Sequence, residues 1–409
     1  MLNSIKTLIN ALDDNNILYC HWKSNEHLDK ALEGDTDLDV LFDPKQRNQI
    51  EIVLCQCGLK RFRATPQTQY NAIEDFIGLD DETAKIWHLH THYKMTLGME
   101  RIKEYTVTPW TSMILNNRIK HESGIYCSSI EYELVLLVVR MTLKLRFRDN
   151  HKHISKHDKR ELCWLIERVN MDQLAIVANV MVGEEFAQFL NKMISDGLQT
   201  NKQLKIIHPY LKKRLSSFTG YSNTETRLIR TKREIFSFIG RVKRKFDLSI
   251  ETPYRRISPS GGLLVSFVGF KTTDKNDLLS DVKREFKKKI DVTSTSLKVS
   301  ANSKQLGSKA IKSLIKSRNN GILVLVEEYP VRGRSFNDTS NFNLPDLIII
   351  GPGSSYNEYF NIENAGANNS KTSESSLSVW NGVVCLEVSS LKTYKEVFCE
   401  VMSKIWTLI

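Results

Sequence analysis

Three groups of residues in this chain could do chemistry. In Gly34-Asp35-Thr36-Asp37-Leu38-Asp39-Val40-Leu41-Phe42 two aspartates alternate with apolar residues. On a strand, Asp37 and Asp39 would share one face while Leu38, Val40 and Phe42 turn to a core. Two carboxylates so spaced can clamp Mg²⁺, which takes oxygen ligands and shares them with substrate phosphates. In Lys85-Ile86-Trp87-His88-Leu89-His90-Thr91-His92 three imidazoles alternate in the same way. A neutral imidazole can also ligate a metal, though it suits Zn²⁺ better than Mg²⁺. The third group lies between Leu263 and Leu279, where Gly269 and Lys275 hold the first-glycine and lysine positions of the phosphate-binding pattern G-x-x-x-x-G-K-[ST]. Asp274 and Asn276 replace its second glycine and its hydroxyl.

The elements around these groups define the frame. Met1 to Asn16 carries Ile5, Leu8, Ile9 and Leu12 on one helical face, and the stretch from Asn16 to Lys23 reads as a strand. A short helix over Glu26 to Glu33 leads into the aspartate strand. Ser129 to Leu145 predicts a helix capped by Ser129, with Glu131 and Glu133 complementing its dipole. Helical patterns continue over Lys156–Val169, Met171–Val182 and Glu184–Ile194. His151, His153 and His157 fall in a polar, basic stretch with no acid or thiol set around them, which reads as a solvated loop.

Here the first half resembles the nucleotidyltransferase superfamily of the polymerase β type. Lys23-Ser24-Asn25 stands at the family's small-residue turn, with Ser24 in place of the second residue of Gly-Ser, and Asp37-Leu38-Asp39 supplies the D-x-D. The resemblance implies that Asp37 and Asp39 hold Mg²⁺, that Lys23 and Ser24 contact a triphosphate, and that His90 stands where the third catalytic carboxylate belongs. It also implies an α+β domain followed by a helical subdomain.

The second half alternates strands and helices: Leu263–Val268, Gly321–Val326, Leu347–Ile350 and Val383–Val388, closing on a helix with Tyr394, Val397, Phe398, Val401, Ile405 and Trp406 buried. That order argues for a parallel sheet flanked by helices. It resembles thymidylate kinases and related P-loop kinases through Gly269 and Lys275, through Tyr329, and through Pro345-Asp346-Leu347. The chemistry of such a kinase is depleted. Asp274 sets a negative charge in the loop, repulsive to phosphate by roughly 4 kcal/mol at about 4 Å and an effective dielectric near 20. Glu328 replaces a cation, and Gly351–Trp380 contains Lys371 but no arginine. Phosphoryl transfer needs cations on the migrating group, so these departures argue against kinase catalysis. Gly269 and Lys275 are left as a nucleotide-binding candidate.

Size and charge set the remaining bounds. The 409 residues, 41% hydrophobic and 26% charged, suit two or three globular domains. We expect boundaries at 1–125, 126–225, a basic connector at 226–260, and 261–409. Lys202 to Arg256 holds fifteen basic and four acidic residues, an excess equal to the whole net charge of +11. Within it Thr226 to Phe246 is a basic amphipathic helix, read either as docked between domains or as lying on an anionic membrane surface. No run of eighteen apolar residues predicts a transmembrane segment, the first residues lack a secretory cleavage site, and seven irregularly spaced cysteines suggest a reducing cytoplasm. The expected function is Mg²⁺-dependent nucleotidyl or phosphoryl transfer from a nucleoside triphosphate, most naturally ATP, to a small-molecule or polysaccharide-precursor acceptor. The alternatives are a non-catalytic nucleotide-sensing or assembly module, and a divergent small-molecule kinase using Lys275.

Overall fold

The structure, a computed structural model, describes residues 1–145, 153–197, 200–246, 253–270, 272–296, 304–327, 345–352, 376–380 and 383–409. His151, Glu328, Tyr329, most of the arginine-free stretch and the side chains of Asp274, Lys275 and Asn276 lie outside them. The fold is mixed α/β, in two units. Met1–Lys60, Pro66–Gly78 and Trp87–Phe236 form the first; Arg61–Thr65, Leu79–Ile86 and Ser237–Ile409 form the second. The division falls inside a helix at Phe236 and Ser237, upstream of the proline- and glycine-bearing segment where the sequence suggests a connector.

In the first unit the chain runs α1 (Asn3–Asp14), β1 (Tyr19–His21), α2 (Leu28–Leu32), β2 (Leu38–Phe42) and α3 (Arg47–Gln56). After β3 (Lys60–Ala64), which belongs to the second unit from Arg61 onward, come β4 (Ile73–Asp80), β5 (Lys85–His92), β6 (Thr96–Leu97), β7 (Tyr105–Thr106), α4 (Thr108–Asn116), β8 (Arg118–Lys120) and β9 (Tyr126–Ser128). The strand order is β4-β5-β2-β1-β9-β8. Both faces of this sheet are covered. Leu38, Val40, Phe42, Trp87 and Leu89 join a core with Ile5, Leu8, Ile9 and Leu12 of α1 and with Ile50, Val53 and Leu54 of α3. Cys20, Trp22 and Leu41, on the alternate side, join a second core with Trp110, Ile114 and the helices that follow. Asp39 and the three histidines therefore project toward a helix-covered face, because strand side chains alternate.

Those helices are α5 (Ile130–Leu143), α6 (Lys156–Ile166), α7 (Met171–Met181), α8 (Glu184–Asp196) and α9 (Asn201–Arg214). In α5, Leu134 to Val139 are fully buried in succession, the pattern of a central helix rather than an amphipathic surface one. Three expectations change here. Ser129 is the N-cap residue of α5, but its side chain makes no capping hydrogen bond. The short helix after β1 starts as a 3₁₀ turn over Asn25–His27, and only Leu28–Leu32 is α. His157 is helical rather than in a loop, because Ser155 accepts from Asp158 N at 3.0 Å and starts α6.

The long helix α10 (Asn223–Lys245) corrects a fourth. A docked helix would bury its apolar side, yet Leu228, Ile235, Phe236, Phe238, Ile239 and Phe246 are all exposed, Leu228 by 67% and Phe238 by 61%. The inward residues are Ser237 and Gly240, with Arg230 and Arg233 half-buried.

In the second unit β3 pairs antiparallel with β10 (Arg256–Ile257). The main sheet contains β11 (Leu263–Val268), β12 (Val292–Ser296), β13 (Leu323–Glu327), β14 (Leu347–Ile350), β15 (Ser376–Trp380) and β16 (Val383–Glu387), ordered β12-β13-β11-β14-β16-β15. Five strands are parallel and β15 is antiparallel at the edge. β11 is buried throughout, as expected of a parallel strand covered on both sides. The accompanying helices are α11 (Thr272–Lys287), α12 (Lys304–Asn319) and α13 (Tyr394–Leu408). Gly269, directly after β11, has φ +70°, which a glycine adopts without strain. Asp346 acts as a staple: its Oδ2 accepts from Leu264 N at 2.7 Å and its Oδ1 lies 3.3 Å from Arg318. Within α13, Val397, Val401, Ile405 and Trp406 are buried as expected, while Phe398 is half-buried and Tyr394 is exposed, donating to Asp281 at 2.7 Å. All seven cysteines are free thiols. No described helix is long and apolar enough to cross a membrane.

Candidate functional site

Parallel pairing of β2 with β5 sets Asp39 directly across from His90, with Leu38 opposite Leu89 and Leu41 opposite His92. That register brings the D-x-D and the histidines together. Lys23 Nζ lies 2.9 Å from Asp39 Oδ1, and His90 Nδ1 lies 3.0 Å from the same oxygen. His92 Nε2 is 3.4 Å away but out of line, so neither ring nitrogen of this fully buried histidine has a hydrogen-bond partner among the described residues. Burial would raise the Asp39 carboxyl; Lys23 and the two imidazoles beside it hold it well below the usual carboxylate range. The same burial pushes His90 down and His92 further down, against the pull of Asp39.

Asp37, just ahead of β2, behaves differently. Its side chain is 46% exposed and faces His88 Nδ1 at 3.0 Å, while His88 Nε2 meets Asp75 Oδ1 at 2.8 Å. The two aspartates thus belong to two separate imidazole contacts rather than to one shared clamp. Mg²⁺ asks for near-octahedral oxygen ligation, whereas Asp39 gathers two imidazole nitrogens and an ammonium; this donor set does not fit Mg²⁺.

The turn before the site is held from the helices. Ser24 has left-handed backbone angles, φ 59° and ψ 34°, unusual for a residue with a side chain. Its amide and hydroxyl donate to Glu161 Oε1 at 3.2 and 3.4 Å. Asn25 gives its amide to Glu133 Oε1 at 2.9 Å and its side-chain nitrogen to Oε2 at 2.6 Å. The Ser24 donors expected to meet a triphosphate are therefore engaged by a buried carboxylate of α6.

Around Lys23 the charge is strongly positive. Lys23 and Arg140 both approach the Trp22 ring, at 5.2 and 5.4 Å from its centroid, and Arg140 Nη1 is buried without a hydrogen-bond partner. Burial, then the charge of Lys23, lowers Lys103 to about 7, with Asp39 opposing and Arg140 and Lys144 adding. Lys144, exposed as a residue, falls to about 8 through partial desolvation, then through Arg140 and Lys23. Lys103 is placed by a constrained loop: Arg101 and Lys103 have positive φ, and Glu104 Oε2 accepts from Met99 N at 2.8 Å. Asp75, Lys103, Arg140 and Lys144 carry no motif, and only the folded chain reveals their grouping. Gly269 and Lys275 belong to the second unit.

No protein-family model matches this chain, and no curated protein matches it. Two solved structures from Helicobacter pylori overlap about half of it. JHP933 is 13% identical over 52% of this chain and 91% of its own, with a TM-score of 0.25. A "putative nucleotidyltransferase" is 13% identical over 53% of this chain and 96% of its own, also with a TM-score of 0.25. A likeness of that size carries no argument about fold or activity.

Proposed function

We propose that the first unit handles a nucleotide and transfers a nucleotidyl or phosphoryl group from a triphosphate such as ATP to a small-molecule or polysaccharide-precursor hydroxyl. The supporting observation is the cluster Lys23, Lys103, Arg140 and Lys144, in which burial and the charges of Lys23 and Arg140 lower the proton affinity of Lys103 and Lys144 beside a single buried aspartate. Phosphate oxygens would relieve that repulsion, and Arg140 Nη1, which makes no hydrogen bond and has a 4.0 Å ion-pair contact with Glu161, is a donor of the kind that grips them. Such cations also stabilise charge on a migrating phosphoryl group. Asp37, Asp39 and His90 are the catalytic candidates, and Ser24 would join once phosphate replaces Glu161. One observation favours a second reading, a non-catalytic nucleotide-sensing module: Lys23 already neutralises Asp39 at 2.9 Å.

The test is ATP binding by calorimetry together with product analysis. Arg140→Ala and Lys144→Ala should each weaken binding about tenfold or more, since a hydrogen bond to a charged group is worth about 1.5–3 kcal/mol. Asp37→Ala/Asp39→Ala should abolish turnover, and Lys275→Ala should change nothing. Released pyrophosphate marks nucleotidyl transfer and released ADP marks phosphoryl transfer. Binding without product supports the sensing module. Binding lost only in Lys275→Ala moves the function to the second unit and overturns the proposal.

A further inference from the structure

We infer that Asp39, His90 and His92 form a site for a borderline divalent transition ion, with Zn²⁺ as its best match, rather than for Mg²⁺. Ligand atoms of these three residues all lie within 4.8 Å of one another. A tetrahedral ion with ligands at about 2.0–2.2 Å holds those ligand atoms about 3.3–3.6 Å apart; Asp39 Oδ1 is 3.4 Å from His92 Nε2, and at 3.0 Å from His90 Nδ1 it needs to open by only a few tenths of an ångström. The second observation is the buried His92 ring, whose two nitrogens lack hydrogen-bond partners. An unsatisfied buried polar atom costs about 1–3 kcal/mol, and a bound ion accounts for one of the two. Imidazole pairs with a single carboxylate suit ions such as Zn²⁺, while Mg²⁺ selects oxygen. Trp22 packs against the site, its ring in a T-shaped contact with His92 at 5.2 Å.

Lys23 is the resident competitor, a cation on the same carboxylate oxygen. This gives the site a property that a merely structural hydrogen-bonded cluster lacks. Removing Lys23 should tighten ion binding, because the ion then meets a free carboxylate. The site shares Asp39 and His90 with the proposed function but does not rest on it, since ion binding is measured without nucleotide.

The experiment uses the full chain after chelation and dialysis, with its thiols blocked so that cysteines cannot bind metal. Zn²⁺ and Mg²⁺ are titrated by calorimetry, and Co²⁺ is followed by its visible spectrum. One Zn²⁺ per chain is expected, at least about 100-fold tighter than Mg²⁺, with a tetrahedral-type Co²⁺ spectrum. His92→Ala and His90→Ala should each weaken Zn²⁺ at least tenfold, and Lys23→Ala should strengthen it. The inference is overturned by equal or tighter Mg²⁺ binding, by no binding in wild type and Lys23→Ala alike, or by Zn²⁺ binding that survives both histidine substitutions.

A separate observation carries a second inference. On α10 the exposed residues Leu228, Ile235 and Ile239, with Phe246 directly after its last turn, recur at helical spacing, with Phe236 and Phe238 on either flank. The helix holds eight basic and two acidic residues, a net +6. We propose that this face seats on an anionic lipid surface: apolar side chains enter the interface while Arg227, Lys232, Arg241, Lys243 and Lys245 meet headgroups. Two copies of a +6 helix would repel, which disfavours self-association. Sedimentation with phosphatidylcholine vesicles, with and without phosphatidylglycerol, tests it. Binding should require phosphatidylglycerol, weaken at high salt, and fall at least tenfold in Phe236→Asp/Phe238→Asp. Failure to bind, equal binding to neutral vesicles, or a dimer in solution dissociated by the same double substitution would each overturn it.

Discussion

Asp39→Ala is expected to lower the unfolding free energy of the first unit by about 3 kcal/mol or more, whereas Asp37→Ala should cost less than about 1 kcal/mol. The difference follows from burial and not from the motif, in which the two aspartates are equivalent. Asp39 is 11% exposed and Lys23 19% exposed, 2.9 Å apart. Deleting one partner of a buried pair leaves the other charge uncompensated, at about 3–5 kcal/mol, and here His90 also loses its acceptor. Asp37 is half in solvent, where ion pairs contribute about 0–1 kcal/mol, and His88 keeps Asp75 on its other nitrogen. Urea titration of both variants measures the difference. Equal losses would mean that Asp39 is no more than a surface carboxylate. The control for activity is Asp39→Asn, which keeps the volume and one acceptor oxygen.

The same contrast shows what the sequence could disclose. Period-two alternation identified β2 and β5 and set Asp39 on one face of the first and His90 and His92 on one face of the second, because strand geometry is local; the pairing that joins those faces comes from the register of the folded sheet. The buried runs Leu263–Val268 and Leu347–Ile350 were legible for the same reason, being too apolar to lie anywhere but within a covered sheet. Periodicity also found the amphipathic face of α10, but it cannot say whether that face turns inward or outward; the structure turns Ser237 and Gly240 inward instead. Nor could it foresee the partners of Ser24. The family resemblance assigns that turn to phosphate, while α5 and α6, more than a hundred residues later, bring Glu133 and Glu161 onto its amides. Lys103 was hidden for a similar reason. It sits on a loop without periodicity, and its significance comes from burial and from Lys23, Arg140 and Lys144, which respectively follow β1, lie within α5 and cap its C-terminus. Long-range electrostatics of this kind has no signature in spacing.

The second large effect is on pH. Glu133 is fully buried, and desolvation pushes its carboxyl up to about 7, with the Asn25 hydrogen bonds opposing and Glu161 adding to the rise. In the unfolded chain the group ionises near its ordinary 4.5. Below that value both states are protonated and the fold bears no penalty. Between 4.5 and 7 the unfolded chain releases its proton while the folded chain retains it, so stability falls as pH rises and the loss is complete above about 7. A displacement of that size corresponds to about 3 kcal/mol. Glu133→Gln carries no proton to lose. Its stability relative to wild type should therefore shift in its favour by about 3 kcal/mol between pH 4 and pH 8, whatever fixed cost the altered Asn25 contact brings. Denaturant titrations of both proteins at the two pH values isolate the term, because every other titrating group cancels in the comparison. A difference that stays constant within about 1 kcal/mol would mean that Glu133 is ionised in the fold at low pH, as a partner of Asn25 and Arg140. The consequence reaches the candidate site. Glu133 fixes Asn25, Asn25 accepts the short contact from His21 Nδ1 at 2.6 Å, and the same turn carries Lys23 to Asp39. Above neutral pH the cost of burying an ionised carboxylate falls on the anchor of that turn, while its hydrogen bonds from Asn25 strengthen.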